Sequence, residues 1–187
     1  MAVSIAQIYL SNKTILAATH RYVAYTSDVG ESFRPVAHPT MVSAAYGISW
    51  LYIGGDVAYE GWKARLKQQG LYHPGLQPWD PVPVVPEEQR VEAAKNARDW
   101  KMVTIERAVF QSIASMGLPA FTIHSTVRYS GKFLKNVKNA QIRTYGPVGL
   151  GLAVVPVLPY LFDEPVERGV EFVFKKMEEF VRREKQE

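Results

Sequence analysis

The chain has 187 residues, 47% of them hydrophobic, and a formal net charge of +4. This length suits one domain, and so modest a charge gives no support to nucleic-acid binding. The absence of cysteine excludes disulfides, thiolate metal sites and cysteine nucleophiles.

The first 34 residues predict an amphipathic helix at the N-terminus. Apolar residues such as Ile8, Ile15, Val23 and Phe33 recur at spacings that fit one side of a helix. Such a helix lies on a membrane surface, crosses the membrane or packs in a protein core, and the sequence leaves these open. The first 27 residues lack acids, which is weakly similar to a mitochondrial targeting segment.

Three long stretches of the chain carry no Asp, Glu, Lys or Arg: residues 35–55, 108–127 and 144–162. A helix of about 20 residues spans roughly 30 Å, the thickness of the hydrocarbon core of a bilayer. We therefore predict an all-α fold, a membrane helical bundle forming a single domain over 1–187 with about three transmembrane helices. A soluble helical interaction module with these stretches in its core is the alternative.

A proline-rich segment separates the first two apolar stretches. Residues 70–86 hold five prolines and two glycines, a density that neither a helix nor a central strand tolerates, so we predict an extended loop. Glu87 and Glu88 follow Pro86 and suit the first turn of a helix that leads toward the second apolar stretch.

Small residues and prolines interrupt the apolar stretches. Gly117 and Pro119 predict a kink or break in the middle of the second stretch. Small residues let helices approach closely in lipid, which makes four positions helix-packing candidates. They are Ser43, Gly47, Gly149 and Gly151.

A basic segment lies between the second and third apolar stretches. Over 128–143 it carries five bases and no acid: Arg128, Lys132, Lys135, Lys138 and Arg143. The positive-inside bias predicts that this segment and the N-terminus face the side from which the protein is inserted, with 56–107 and the tail on the opposite side. In a mitochondrial inner membrane, the insertion side would be the matrix. These bases are also candidates for contact with lipid headgroups, although a solvated helix face would look alike.

The chain after the third stretch predicts a turn and then a second amphipathic helix. Asp163, Glu164 and Pro165 form a polar stop that we interpret as a turn at the membrane boundary. Beyond it, residues 165–187 carry apolar side chains every three or four positions, which predicts a C-terminal amphipathic helix.

No motif indicates a catalytic, cofactor-binding or metal site. The four histidines, His20, His38, His73 and His124, lack ligand spacing, and no P-loop, HExxH or nucleophile elbow is present. We expect no enzymatic activity and no cofactor.

Four blocks resemble the mitochondrial fission process protein family: RYVAYTSDVGESFRP (21–35), AAYGISWLYIGGDVAYEGWKA (44–64), RAVFQSIASMGLPAFTIHS (107–125) and GPVGLGLAVVPVLPYLFDEPVERGVEF (146–172). The resemblance implies a multi-pass protein of the mitochondrial inner membrane that promotes mitochondrial fission and inner-membrane integrity without a known reaction. The expected role is that of a scaffold or regulator. Membrane lipids and other inner-membrane proteins are the expected partners, and a homo-oligomer is left open.

Two other functions are compatible with the residues. A small membrane carrier or channel component would explain why Pro and Gly interrupt two crossings. A membrane-embedded enzyme is suggested only by the polar residues Gln111 and His124.

Overall fold

The structure is a computed structural model that describes residues 23–184, and within this range the chain is helical and has no β-strand. The predicted all-α fold is confirmed for these residues. The helices are α1 (Thr26–Ser32), α2 (Pro39–Gln68), α3 (Glu87–Ala94), α4 (Trp100–Gln111), α5 (Leu118–Phe133), α6 (Ala140–Val154) and α7 (Leu158–Glu184). A π-helical turn, Ser112–Gly117, joins α4 to α5, while 3-10 turns at Leu134–Asn136 and Val155–Val157 follow α5 and α6.

The chain divides into two compact units. The first contains the residues up to Tyr52 together with Ser115–Leu161, and the second contains Ile53–Ala114 together with the chain from Phe162. Every division falls inside a helical segment rather than in a linker. The sequence therefore has no linker-like composition, the usual signal of a domain boundary, at the positions where the chain passes from one unit to the other.

In the first unit, α1 and the beginning of α2 form an antiparallel hairpin. The backbone N–H of Ser27 donates to the Ser49 hydroxyl at 2.9 Å, and Glu31 contacts Tyr46. Gly30 lies so close to α2 that a Cβ there would sit 2.6 Å from the Cβ of Ala45. Only glycine allows this approach of the two helices.

For the residues that the structure describes, the apolar side of the predicted N-terminal helix faces away from the protein interior. Val23, Val29 and Phe33 are 37–40% exposed. The buried side of α1 is polar instead, and consists of Ser27, Asp28, Glu31 and Ser32. The apolar residues do recur at helical spacing. This spacing does not indicate which side of the helix faces the protein, because apolar side chains can also face outward when the surroundings of the helix are themselves apolar. Residues 1–22 of the predicted helix lie outside the described range.

The predicted break in the second apolar stretch is confirmed, and it takes the form of the π-helical turn that ends at Gly117. Pro119 then lies in the first turn of α5, the part of a helix in which proline is best tolerated. The residue types thus indicated the position of the break but not its geometry.

One helical stretch among the described residues, Ala140–Phe180, is long and apolar enough to cross a membrane by length and composition. It contains the whole predicted third crossing, 144–162. The three-crossing arrangement as such stays a prediction.

The predicted turn at Asp163, Glu164 and Pro165 is wrong. α7 runs from Leu158 to Glu184 with Pro165 inside it. A proline removes one helical hydrogen bond, and here the helix continues on both sides, with an ion pair between Glu164 and Arg168 spanning the position. The C-terminal helix, predicted over 165–187, therefore begins earlier, at Leu158.

In the second unit, the proline-rich segment is a loop, as predicted, and α3 begins at Glu87 directly after Pro86. The loop leaves α2 through Gly70, whose φ of +66° and close contact with the Arg90 carbonyl exclude any larger residue. α3 does not lead directly into the second apolar stretch, because it ends at Ala94 and α4 begins anew at Trp100.

Candidate functional site

Five ionisable or hydrogen-bonding side chains form a polar cluster in the first unit, in which Asp28 and Glu31 are buried: Asp28, Glu31, Arg34, Tyr46 and His124. Glu31 lies at its centre. Its carboxylate accepts two hydrogen bonds from the Arg34 guanidinium at 2.6 and 2.7 Å and one from the Tyr46 hydroxyl at 3.1 Å. His124 Nδ1 lies 2.7 Å from Oε1 of the same carboxylate, the oxygen that also accepts from Arg34 Nε. Glu31 therefore connects α1 with α2 and α5.

The partners of Glu31 keep it ionised although it is buried. Burial alone disfavours its charge, but the hydrogen bonds from Arg34 and His124 outweigh burial and hold the pKa of Glu31 below its ordinary value. The same contact with Glu31 raises the pKa of Arg34. A pair arranged in this way is structural, since both groups keep a fixed charge over the physiological pH range.

Asp28 differs from Glu31 in having no partner. Its side chain is 0% exposed, and neither carboxylate oxygen accepts a hydrogen bond from any described residue. Burial, with a further contribution from the charge of Glu31, raises the pKa of Asp28 to about 7. A carboxyl group in such surroundings can bind and release a proton near neutral pH.

The five predicted headgroup-binding bases are all exposed, and all lie along the connection between α5 and α6. Arg128 and Lys132 belong to the last turns of α5, Lys135 to the following 3-10 turn, Lys138 to the loop and Arg143 to the start of α6. We call these five residues the basic surface. In the part of the chain that the structure describes, none of them forms an ion pair.

The four predicted helix-packing residues divide into two groups. A Cβ at Gly151 would lie 2.9 Å from both Ser32 Oγ and Val127 Cγ2, so α6 approaches α1 and α5 closely there. A Cβ at Gly149 or Gly47 would meet nothing within 4 Å, and Ser43 is exposed. For these three the structure shows no close helix contact within the described chain, and their role in helix packing stays a prediction.

Three other glycines make close contacts that the sequence analysis missed. Gly30 faces Ala45, Gly146 faces Leu134, and Gly61 in the second unit faces Thr104. Each is a single glycine at a helix contact. A search for pairs of small residues four positions apart does not find them.

The second unit has its own ion pairs. Asp56 of α2 accepts hydrogen bonds from Arg107 Nε and Gln111 Nε2 of α4, both at 2.7 Å. Arg98 bridges Glu106 and Glu178 at 2.6 Å each. Among the described residues, no three His, Asp or Glu side chains are grouped so that they could hold a metal ion.

The sequence analysis also missed the polar cluster. Glu31 and His124 are 93 positions apart, and the sequence analysis gave His124 only as a polar residue within an apolar stretch, without naming its partner. The available signal was the rarity of an ionisable group in such a stretch, which usually indicates an ionisable partner elsewhere in the chain.

Comparison with known proteins gives consistent matches along most of the chain. "Mitochondrial fission process protein 1" of Homo sapiens is 26% identical over 155 residues, which is 82% of this chain and 78% of the human protein. The protein of the same name in Caenorhabditis elegans is 21% identical over 159 residues, covering 84% of this chain and 83% of the relative. That of Danio rerio is 24% identical over 155 residues, covering 82% and 78%.

No solved structure is significantly similar to this chain. The family model described as "Mitochondrial 18 KDa protein (MTP18)" matches residues 5–170, a range that includes the polar cluster, the basic surface and most of both units. The chain therefore belongs to the mitochondrial 18 kDa protein family.

Proposed function

We propose that this chain is a non-enzymatic, multi-pass protein of the mitochondrial inner membrane that promotes mitochondrial fission and inner-membrane integrity as a scaffold or regulator. The role in fission is supported by its family and by relatives that carry that role in their names. The membrane setting is supported by the distribution of polar and apolar side chains.

The observation that carries the proposal is that the first unit has polar residues inside and large apolar residues outside. Leu51, Phe121 and Tyr160 are 79%, 72% and 87% exposed, whereas Asp28 and Glu31 are buried. Soluble monomers rarely expose extensive apolar surface. In lipid this arrangement is favourable, because apolar side chains face the hydrocarbon and ionisable ones face the bundle interior.

The contacts within each unit fit the predicted crossings. Glu31 precedes the first stretch, 35–55, and its partner His124 lies near the end of the second, 108–127. Asp56 follows the first stretch, and its partner Arg107 precedes the second. If the two stretches cross the membrane as antiparallel helices, the start of one lies beside the end of the other. Glu31 then lies near His124, and Asp56 lies near Arg107.

A scaffold or regulator suits the polar cluster better than a catalyst does. The acceptor groups of Glu31 are occupied by Arg34, Tyr46 and His124, so this carboxylate fixes helices rather than presenting itself to a substrate. Its loss would leave Arg34, Tyr46 and His124 without the acceptor that joins α1 to α2 and α5.

The test is replacement of the endogenous protein by variants in cells. We expect depletion to elongate mitochondria, the wild-type chain to restore their length, and carbonate extraction to leave the protein in the membrane pellet. Glu31→Ala should fail to restore length, while Glu88→Gln on the exposed side of α3 should succeed. Release of the wild-type protein by carbonate, or unchanged mitochondrial shape on depletion, would contradict the proposal.

Asp28 favours a second candidate, a small membrane carrier or channel component. A carboxyl group that is buried among helices and exchanges a proton near neutral pH is a recurrent part of proton pathways. Purified protein in liposomes with an internal pH dye decides between the two. Proton flux that is lost in Asp28→Asn would support the carrier, and flux equal to that of empty liposomes would support the scaffold.

A further inference from the structure

We propose that the basic surface binds the phosphate headgroups of anionic phospholipids in the leaflet beside it, and so fixes the hairpin of α5 and α6 in the membrane. This inference rests on the membrane setting of the proposed function. It adds a specific partner, because membrane insertion alone does not require a preference for any class of lipid.

The first argument is uncompensated charge. The sequence has no acidic residue from 107 to 162, so the five bases of the basic surface have no acid within the same stretch of chain. Three exposed lysines elsewhere are arranged differently. Lys95, Lys175 and Lys176 each pair with a glutamate three or four positions away.

The second argument is that aromatic side chains accompany the bases. Tyr129, Phe133 and Tyr145 are all more than half exposed and lie on the same turns as Lys132 and Arg143. The Lys132 ammonium stands 5.6 Å from the centre of the Tyr129 ring. Aromatic rings favour the headgroup level of a bilayer, where they would hold the neighbouring bases at the depth of lipid phosphates.

The third argument is that this surface is built on a rigid turn. Gly146 of α6 lies against Leu134, so closely that a Cβ would approach the leucine side chain to 2.6 Å. The Asn139 side chain accepts hydrogen bonds from the backbone N–H groups of Gln141 and Ile142 and so fixes the start of α6. The bases therefore project from a preorganised connection, which lowers the entropy lost on binding.

The experiment titrates the full-length protein in neutral detergent with short-chain phosphatidylglycerol or short-chain phosphatidylcholine and follows thermal unfolding, since a ligand that binds the folded state raises Tm. The test variant is Lys132→Gln/Lys135→Gln/Lys138→Gln. The matched control, Lys95→Gln/Lys175→Gln/Lys176→Gln, removes three lysines that are also exposed but are paired with glutamates.

We expect phosphatidylglycerol to raise Tm more than phosphatidylcholine does, and added salt to weaken the difference. Each base near an anionic lipid surface strengthens binding about fivefold, so the test variant should bind on the order of a hundredfold more weakly. The control should bind as the wild type does. Equal binding by wild type and test variant, equal losses in test and control variants, or competition by inorganic phosphate alone would overturn the proposal.

The proposed function can fail separately. A protein that carbonate releases from mitochondria would contradict the membrane setting. A protein that stays in the membrane pellet but shows no preference for phosphatidylglycerol would contradict only the lipid site.

Discussion

At the residue scale, Asp28 makes stability depend on pH in a direction opposite to that of most carboxylates. Its pKa is raised from 3.8 to about 7, so between these values the folded chain holds a proton that the unfolded chain has lost. The free energy of unfolding should therefore fall by up to about 1.4 kcal/mol for each pH unit from about pH 4 to pH 7. Chemical denaturation of detergent-solubilised protein across this range measures the slope.

Asp28→Asn removes the titrating group while keeping its shape. We expect this variant to lose the slope and to be more stable than the wild type at pH 8, where the buried carboxylate would be charged. Glu88→Gln, on an exposed position of α3, should keep the slope. A slope that persists in Asp28→Asn would show that another group is responsible, because the lowered pKa of Glu31 acts only below its ordinary range.

Gly151 and Gly149 offer a matched test of packing, two residues apart on one helix. Gly151→Leu should destabilise the protein by about 1–3 kcal/mol or more, because its Cβ already meets Ser32 and Val127 at 2.9 Å. Gly149→Leu should be neutral or slightly stabilising, since it has open space within this chain and leucine is the better helix former. The stabilities of the two variants are compared by their unfolding midpoints in detergent. Equal losses would mean that Gly149 faces another molecule.

At the element scale, the sequence predicts where a helix begins or is interrupted, but not which side of the helix is buried. The start of α3 follows from Pro86 and the two glutamates after it, and the π-helical turn from Gly117 and Pro119. These signals act within one turn of helix. Which side of α1 is buried depends instead on residues such as His124, which lies far away in sequence and next to it in space.

The same dependence on distant residues explains why the predicted turn at Pro165 is wrong. Its local cost is real, but packing on both sides of a helix can outweigh the cost of one proline. We expect Pro165→Ala to raise the free energy of unfolding by up to about 3 kcal/mol, since alanine restores a helical N–H inside α7. Pro159→Ala should change it less, because the Val155 carbonyl, which an amide N–H at position 159 would reach, already accepts a hydrogen bond from the Leu158 N–H.

Denaturation in detergent, followed by far-ultraviolet circular dichroism, measures both proline variants. If Pro159→Ala raises the free energy of unfolding as much as Pro165→Ala does, the position of the proline within the helix does not determine its cost. A loss of stability in Pro165→Ala would mean that the protein requires the geometry that proline imposes there.

At the scale of the whole molecule, the three predicted crossings place each connecting segment on a definite side of the membrane. The bias of bases toward the matrix side assigns the connection of α5 and α6 to the matrix, and the segment containing α3, together with the second half of α7, to the intermembrane space. The chain has no cysteine, so single cysteines report these positions without removing any native thiol.

We expect three variants to separate under a membrane-impermeant maleimide applied to mitoplasts, in which only the outer membrane is open. Asn136→Cys, beside Lys135, should react only after detergent is added. Asn96→Cys and Gly169→Cys, both at exposed positions, should react at once, and Gly169 has open space for the new side chain. Reversal of all three would invert the topology. Immediate labelling of Asn136→Cys together with the other two would remove the second and third crossings, because residues 136 and 169 would then share a side with residue 96.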